Sequence, residues 1–210
     1  VLVNFFDTWL WTATRLRPLT WRPDLYDVTP GFSLILARNF APISERLLLA
    51  GSRMRSVAAY YAAARANLSN PTLEHTVAAL RQTQVALQLF SAVVPHHVRA
   101  SDLSDEQQGR LITRSRTAAS AVYAHHAWLL ALQHRLQREG ARSSRLGGTL
   151  FDEKFALESG ANQDPLAVYK LAVQTRDEIR ARIMPLAEGI WPRYFPNETC
   201  PAQAPLDGVR

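Results

Sequence analysis

One stretch constrains the fold more than any other. Ser104 stands three residues before Gln107, and the chain then runs to Gly140 without a proline. Ser104 and Gln107 form a capping box, in which each side chain satisfies the other residue's free backbone donor. Gly140, after Arg138-Glu139, is a C-terminal stop. The pair predicts a helix of about 35 residues, or about 50 Å at 1.5 Å per residue. Its segment from Ala121 to Leu132 is apolar on nearly all sides, so it needs neighbours around it and reads as the centre of a bundle.

The neighbours are legible from periodicity. Leu2, Phe5, Phe6, Trp9, Leu10, Ala13 and Leu16 predict a first helix over 1–17. Pro18, Pro23 and Pro30, followed by Gly31, predict an extended connector over 18–33. A second helix is expected over 42–67, with Pro42 in its first turn and Ile43, Leu47, Ala50, Met54, Val57, Ala58 and Tyr61 inward. A third is expected over 71–94, stopped by Pro95. Residues 150–159 predict a short helix ending at Gly160. Asp164-Pro165 opens a last helix lined by Val168, Leu171, Ala172, Ile179 and Ile183, which Pro185 ends or kinks.

The expected class is therefore all-α, a bundle of about five main helices. The expected domains are an aromatic, Arg-rich N-terminal helix with its connector (1–33), the bundle (34–188) and an extended Pro-rich tail (189–210). Apolar residues make up 47% of the chain and charged residues 20%, enough for a real core. No window of ~18 uninterrupted apolar residues reads as a membrane span.

The net charge of +6 is uneven. Residues 151–210 carry 7 basic and 9 acidic groups, so the excess lies in the first two thirds. All basic residues except Lys154 and Lys170 are arginine. Arginine suits contacts with carboxylates and phosphates, although a GC-rich genome produces the same bias. The single cysteine, Cys200, rules out an intrachain disulfide and any cysteine-based metal cluster, which fits a reducing compartment. The chain begins at Val1, as a processed or trimmed product would.

Catalytic motifs are missing. There is no phosphate-binding glycine loop, no Gly-x-Ser-x-Gly elbow and no His-Glu-x-x-His or Glu-x-x-His metal motif. Of the six histidines, His126 and His134 lie two turns apart, about 12 Å, too far to share one metal. His126 is expected to bond a core carbonyl or hydroxyl, and His96-His97 to sit in a loop. Ile43-Ser44-Glu45-Arg46-Leu47 with Val57-Ala58-Ala59-Tyr60 resembles the opening helix of chorismate-type mutases, but the lysine of that site has no counterpart, and no family follows from it.

Two ends of the chain point outward instead. Trp9, Trp11 and Trp21 with Arg15 and Arg17 resemble an interfacial anchor, where indoles sit at headgroups and guanidinium groups meet phosphates. Trp191, Tyr194 and Phe195 are candidates to hold the tail in a groove. Arg135, Arg138, Arg142 and Arg145 form a candidate anion-binding set, with a nucleic acid disfavoured because no aromatics interleave with them. The sequence thus predicts a non-catalytic helical accessory or scaffold subunit of a larger, membrane-linked assembly, without a cofactor or metal. The expected partners are other subunits, then a membrane surface met by the N-terminal arm. The alternatives are a module for an anionic ligand (lipid headgroup or RNA) and a histidine-based metal or cofactor bundle.

Overall fold

The computed structural model describes residues 2–159 and 163–200. All regular elements among them are helical. In chain order they are α1 (Leu2–Trp11), α2 (Thr29–Ala37), α3 (Ile43–Met54), α4 (Val57–Asn67), α5 (Leu73–Gln88), α6 (Val94–Arg99), α7 (Asp105–Glu139), α8 (Gly148–Ser159) and α9 (Pro165–Tyr194). Residues 9–146 form one compact unit; the described residues up to 8 and from 147 onward form another.

α7 starts and stops where its local signals place it. The Gln107 amide donates to Ser104 Oγ at 3.4 Å, and the Ser104 amide donates to Gln107 Oε1 at 3.1 Å. Gly140 takes φ 90°, a region that side chains rarely adopt. The buried residues of α7 are Leu111, Ser115, Ala118, Val122, His125, Leu129, Leu132 and Leu136. They alternate in steps of four and three, a period of 3.5 that makes a narrow coiled-coil-like seam. The 121–132 segment is therefore central but not enclosed, because Tyr123 and Leu130 on its outer side are exposed.

Four expectations change. The connector over 18–33 is not wholly extended. It holds single turns at Pro18–Thr20 and Pro23–Leu25, and Pro30 sits in the first turn of α2, where its missing N–H costs nothing. The helix expected over 42–67 is two helices, broken at Arg55-Ser56, where the Ser56 amide bonds back only to Arg53 O at 3.0 Å. Leu47, Ala50 and Met54 before the break and Val57, Tyr61 and Ala64 after it are all buried, so the apolar period hides the break.

Pro95 does not end the third helix. A wide turn at Leu89–Val93, with the Val94 amide reaching Leu89 O, admits the ring, and the chain stays helical to Arg99. His96 and His97 consequently lie on α6 rather than in a loop. The buried Ser115 hydroxyl donates to Phe90 O of that turn at 2.5 Å. The run Leu73–Arg99 is long and apolar enough to cross a membrane by length and composition, but Ala79, Leu80, Ala86, Leu89, Phe90, Val94 and Val98 pack into the bundle.

Last, α9 passes through both Pro185 and Pro192, so 189–194 is helical rather than extended. Asp164 caps it, accepting from the Leu166 amide at 3.1 Å. The expected inner stripe of α9 is largely open, since Leu171 and Ile179 are exposed. Gly160 and the tail prolines Pro201 and Pro205 lie outside the described residues.

Two contacts lock the bundle. A Cβ on Gly51 would lie 2.2 Å from Leu111 Cδ2, so glycine is what lets α3 approach α7. Arg46 is buried, and its guanidinium donates to Ile35 O (3.2 Å), Leu36 O (2.6 Å) and Ala41 O (2.9 Å). It thereby satisfies carbonyls at and beyond the end of α2, where a cation also meets the negative end of the helix dipole.

Candidate functional site

The six histidines are the side chains that the sequence singles out as candidate metal ligands. His125 is fully buried on the α7 seam. Its ring stacks on Tyr61 (centroids 4.1 Å, 17°) and faces Trp128 on the other side (5.6 Å, 14°). Its Nδ1 is buried without a hydrogen-bond partner. Burial is the main force pushing this imidazole down to about 4, with the charges of Arg65 and His126 adding to it. His125 is thus neutral at physiological pH. The same burial pushes the Tyr61 hydroxyl up, helped by Asp27 and Tyr60.

His126 Nδ1 lies 2.7 Å from Thr83 Oγ1, the neighbouring hydroxyl expected from the sequence. Thr83 donates to Leu80 O at 2.8 Å, which makes the imidazole N–H the donor in the first bond. His75 Nδ1 is 2.6 Å from Thr72 Oγ1 and meets Trp21 edge-on. His96 and His97 contact each other edge-on. Among the described residues, no three His, Cys, Asp or Glu side chains gather as a metal set would.

The four arginines proposed for anions do not converge as a group. Arg142 lies 4.0 Å from the centroid of the Trp21 ring, as a cation–π pair. One of its nitrogens, Nη1, is buried without a partner. Arg135 and Arg138 line a cleft of about 290 Å³ with Trp128, Ala131 and Leu132. Arg138 also reaches Glu139 at 3.5 Å. Arg145 is exposed in the loop after Gly140.

The outward-pointing aromatics divide similarly. Trp21 is only 6% exposed, and its Nε1 donates to Leu16 O at 3.0 Å. It serves the interior and is no exposed anchor. Trp9, in contrast, is 65% exposed. Six large apolar residues of α1 (Leu2, Val3, Phe5, Phe6, Trp9 and Leu10) are more than half exposed, and no α1 residue is buried. Trp11 is partly buried and Arg15 exposed. Arg17 closes the wide turn Thr12–Leu16 in a left-handed conformation (φ 48°), the strained backbone that precedes Pro18. Trp9 and Arg17 line a cleft of about 430 Å³ with Ala13, Pro18, Leu19 and Asn67. In the other unit, Trp191 is buried, stacks on Phe195 (4.4 Å) and donates to Glu198 O at 3.1 Å; Tyr194 is exposed.

Sequence reasoning passed over two of these features. His125 was legible in retrospect from the four-three spacing of the seam, on which it falls between Val122 and Leu129. The Arg46 clamp had no local signal, because two of its three acceptors come from ten and eleven residues upstream.

Residues 6–201 match the pattern of a family described as bacterial proteins of unknown function, DUF885. The chain belongs to the DUF885 family. No curated protein matches it significantly. Among solved structures, the DUF885 chain is similar to a Shewanella oneidensis protein described as a candidate lipoprotein of unknown function. The two are 37% identical and superpose with a TM-score of 0.81 over 95% of this chain. The match covers 36% of the Shewanella chain, so this DUF885 chain spans about a third of that relative's length.

Proposed function

We propose that this DUF885 chain is the helical scaffold section of a larger, membrane-associated assembly, docked through the apolar face of α1. The exposure of Leu2, Phe5, Phe6 and Trp9 together on one short helix carries the reading. Single exposed apolar residues are ordinary, but a contiguous apolar face marks a contact surface. Each Å² of such surface removed from water contributes about 25 cal/mol. The lipoprotein description of the Shewanella relative agrees with a membrane setting for that relative.

The test is native-gel migration and membrane fractionation of the full chain in its own cells. The wild type is expected in the membrane fraction, in a species well above its own 23.5 kDa. A Phe5→Ser/Phe6→Ser/Trp9→Ser variant is expected as a soluble monomer. A wild type that is itself monomeric and soluble sinks the reading.

The cleft between Trp128, Arg135 and Arg138 favours a second reading, a site for a phosphate-bearing anion. Two guanidinium groups beside an indole suit a phosphate with an adjoining apolar or aromatic part. Inorganic phosphate, an RNA oligonucleotide and anionic vesicles separate the sources. Binding should weaken as salt rises and vanish in Arg135→Ala/Arg138→Ala. Salt-independent or undetectable binding to all three removes this reading.

A further inference from the structure

α9 carries a second unpartnered face with a longer and more regular pattern than α1. Val168, Ala172, Thr175, Ile179, Ile183, Leu186, Ile190 and Tyr194 follow one another in steps of four and three. On a helix with 3.6 residues per turn this is one continuous stripe, about 40 Å long. Thr175 is its one polar member. Ile179, Leu186, Ile190 and Tyr194 are 48–69% exposed. Ala187 and Trp191, the only buried residues of α9, sit roughly a quarter turn away from the stripe. Whatever buries them leaves the stripe open. Arg176, Arg180, Arg182 and Arg193 flank the stripe, against one flanking carboxylate, Glu178; Arg176 also pairs with Asp177 at 2.8 Å.

We propose that this stripe is covered by polypeptide equivalent to the part of the Shewanella relative beyond the matched third, through an apolar surface rimmed by carboxylates. Two observations support that occupant. The relative holds the same fold as about a third of a much longer chain, so about two thirds of its length lies outside the matched helices. The arginine rim opposes a second copy, since pairing two stripes antiparallel about Ala181 would bring Arg180 and Arg182 of the two copies together. It complements an acidic rim instead. This inference rests on the scaffold reading but concerns a different helix, so the α1 variants above and the α9 probes below fail independently.

The experiment places a single probe on the stripe. In a Cys200→Ser background, Leu186→Cys is labelled with a maleimide. Labelling is compared between the 210-residue chain and a chimera in which this chain replaces the matched third of the Shewanella protein. The proposal expects labelling to slow at least about tenfold in the chimera. Equal rates overturn it. So does protection in the 210-residue chain itself, whether by self-association in sedimentation equilibrium or by added anionic vesicles. A cysteine at the aligned position of the intact Shewanella protein reads the same contact without requiring the chimera to fold; rapid labelling there also overturns the proposal.

Discussion

α7 and α9 share an apolar period and differ in environment. Both are long, both open with a side-chain cap, and both carry an apolar stripe at helical spacing. α7 buries eight residues of its 35; α9 buries two of its 30. The seam of α7 meets Tyr61, Phe90, Leu47 and Leu80 from other elements in two apolar clusters. The stripe of α9 faces outward along most of its length. An apolar period therefore identifies the face of a helix that is suited to contact. It does not identify what lies against that face.

Substitutions on the two helices should separate them most widely. Leu129→Ala, in the fully buried part of the α7 seam, is expected to cost about 2–5 kcal/mol in urea unfolding, and Phe90→Ala against it about 3–5 kcal/mol. Comparable losses for Leu186→Ala in α9 would break the comparison.

The α7 seam also holds a strongly shifted imidazole, that of His125. The unfolded chain takes up a proton at His125 near pH 6.5, whereas the folded chain does so only near 4. Stability is therefore full above the unfolded value and declines as pH falls from about 6.5 to about 4. The loss is on the order of 3 kcal/mol if this residue acts alone. His125→Phe, which keeps a flat ring between Tyr61 and Trp128, should flatten that slope. An unchanged slope would assign the acid sensitivity to other groups.

Two further contacts sharpen the picture of a tightly fitted bundle. Arg46→Met should lose about 1–3 kcal/mol, since it leaves the carbonyls of Ile35, Leu36 and Ala41 without their donor. Gly51→Ala should lose about 1–3 kcal/mol, because Leu111 must move from a methyl placed 2.2 Å away. Thermal melts would show both. The smallest effects belong to α9: Leu171→Ala and Leu186→Ala should change stability by no more than about 0.5 kcal/mol in the isolated chain.

What was legible beforehand follows the range of the interaction behind it. Ser104 with Gln107, Gly140 and Asp164 act on backbone groups within a few residues, and α7 and the start of α9 lie where those residues predict. The break at Arg55-Ser56 and the passage through Pro95 left no such mark. Pro95 is buried between the buried Val94 and Val98, and packing around the widened turn keeps the segment helical where proline alone predicts a stop. Arg142 shows the same limit at the candidate site. It read as one of four surface cations, yet tertiary folding lays it over Trp21, which in turn is withdrawn from the group of exposed tryptophans.

The sequence by itself determined that this chain is all-helical, where its longest helix begins and ends, and which faces are apolar. Each of these is set by hydrogen bonds and spacing within one helix. Only the tertiary structure decided which apolar faces found partners. The α7 seam closed on its neighbours and took His125 out of water, while the α1 face and the α9 stripe stayed open. Burial is a property of two surfaces, and one helix encodes only its own.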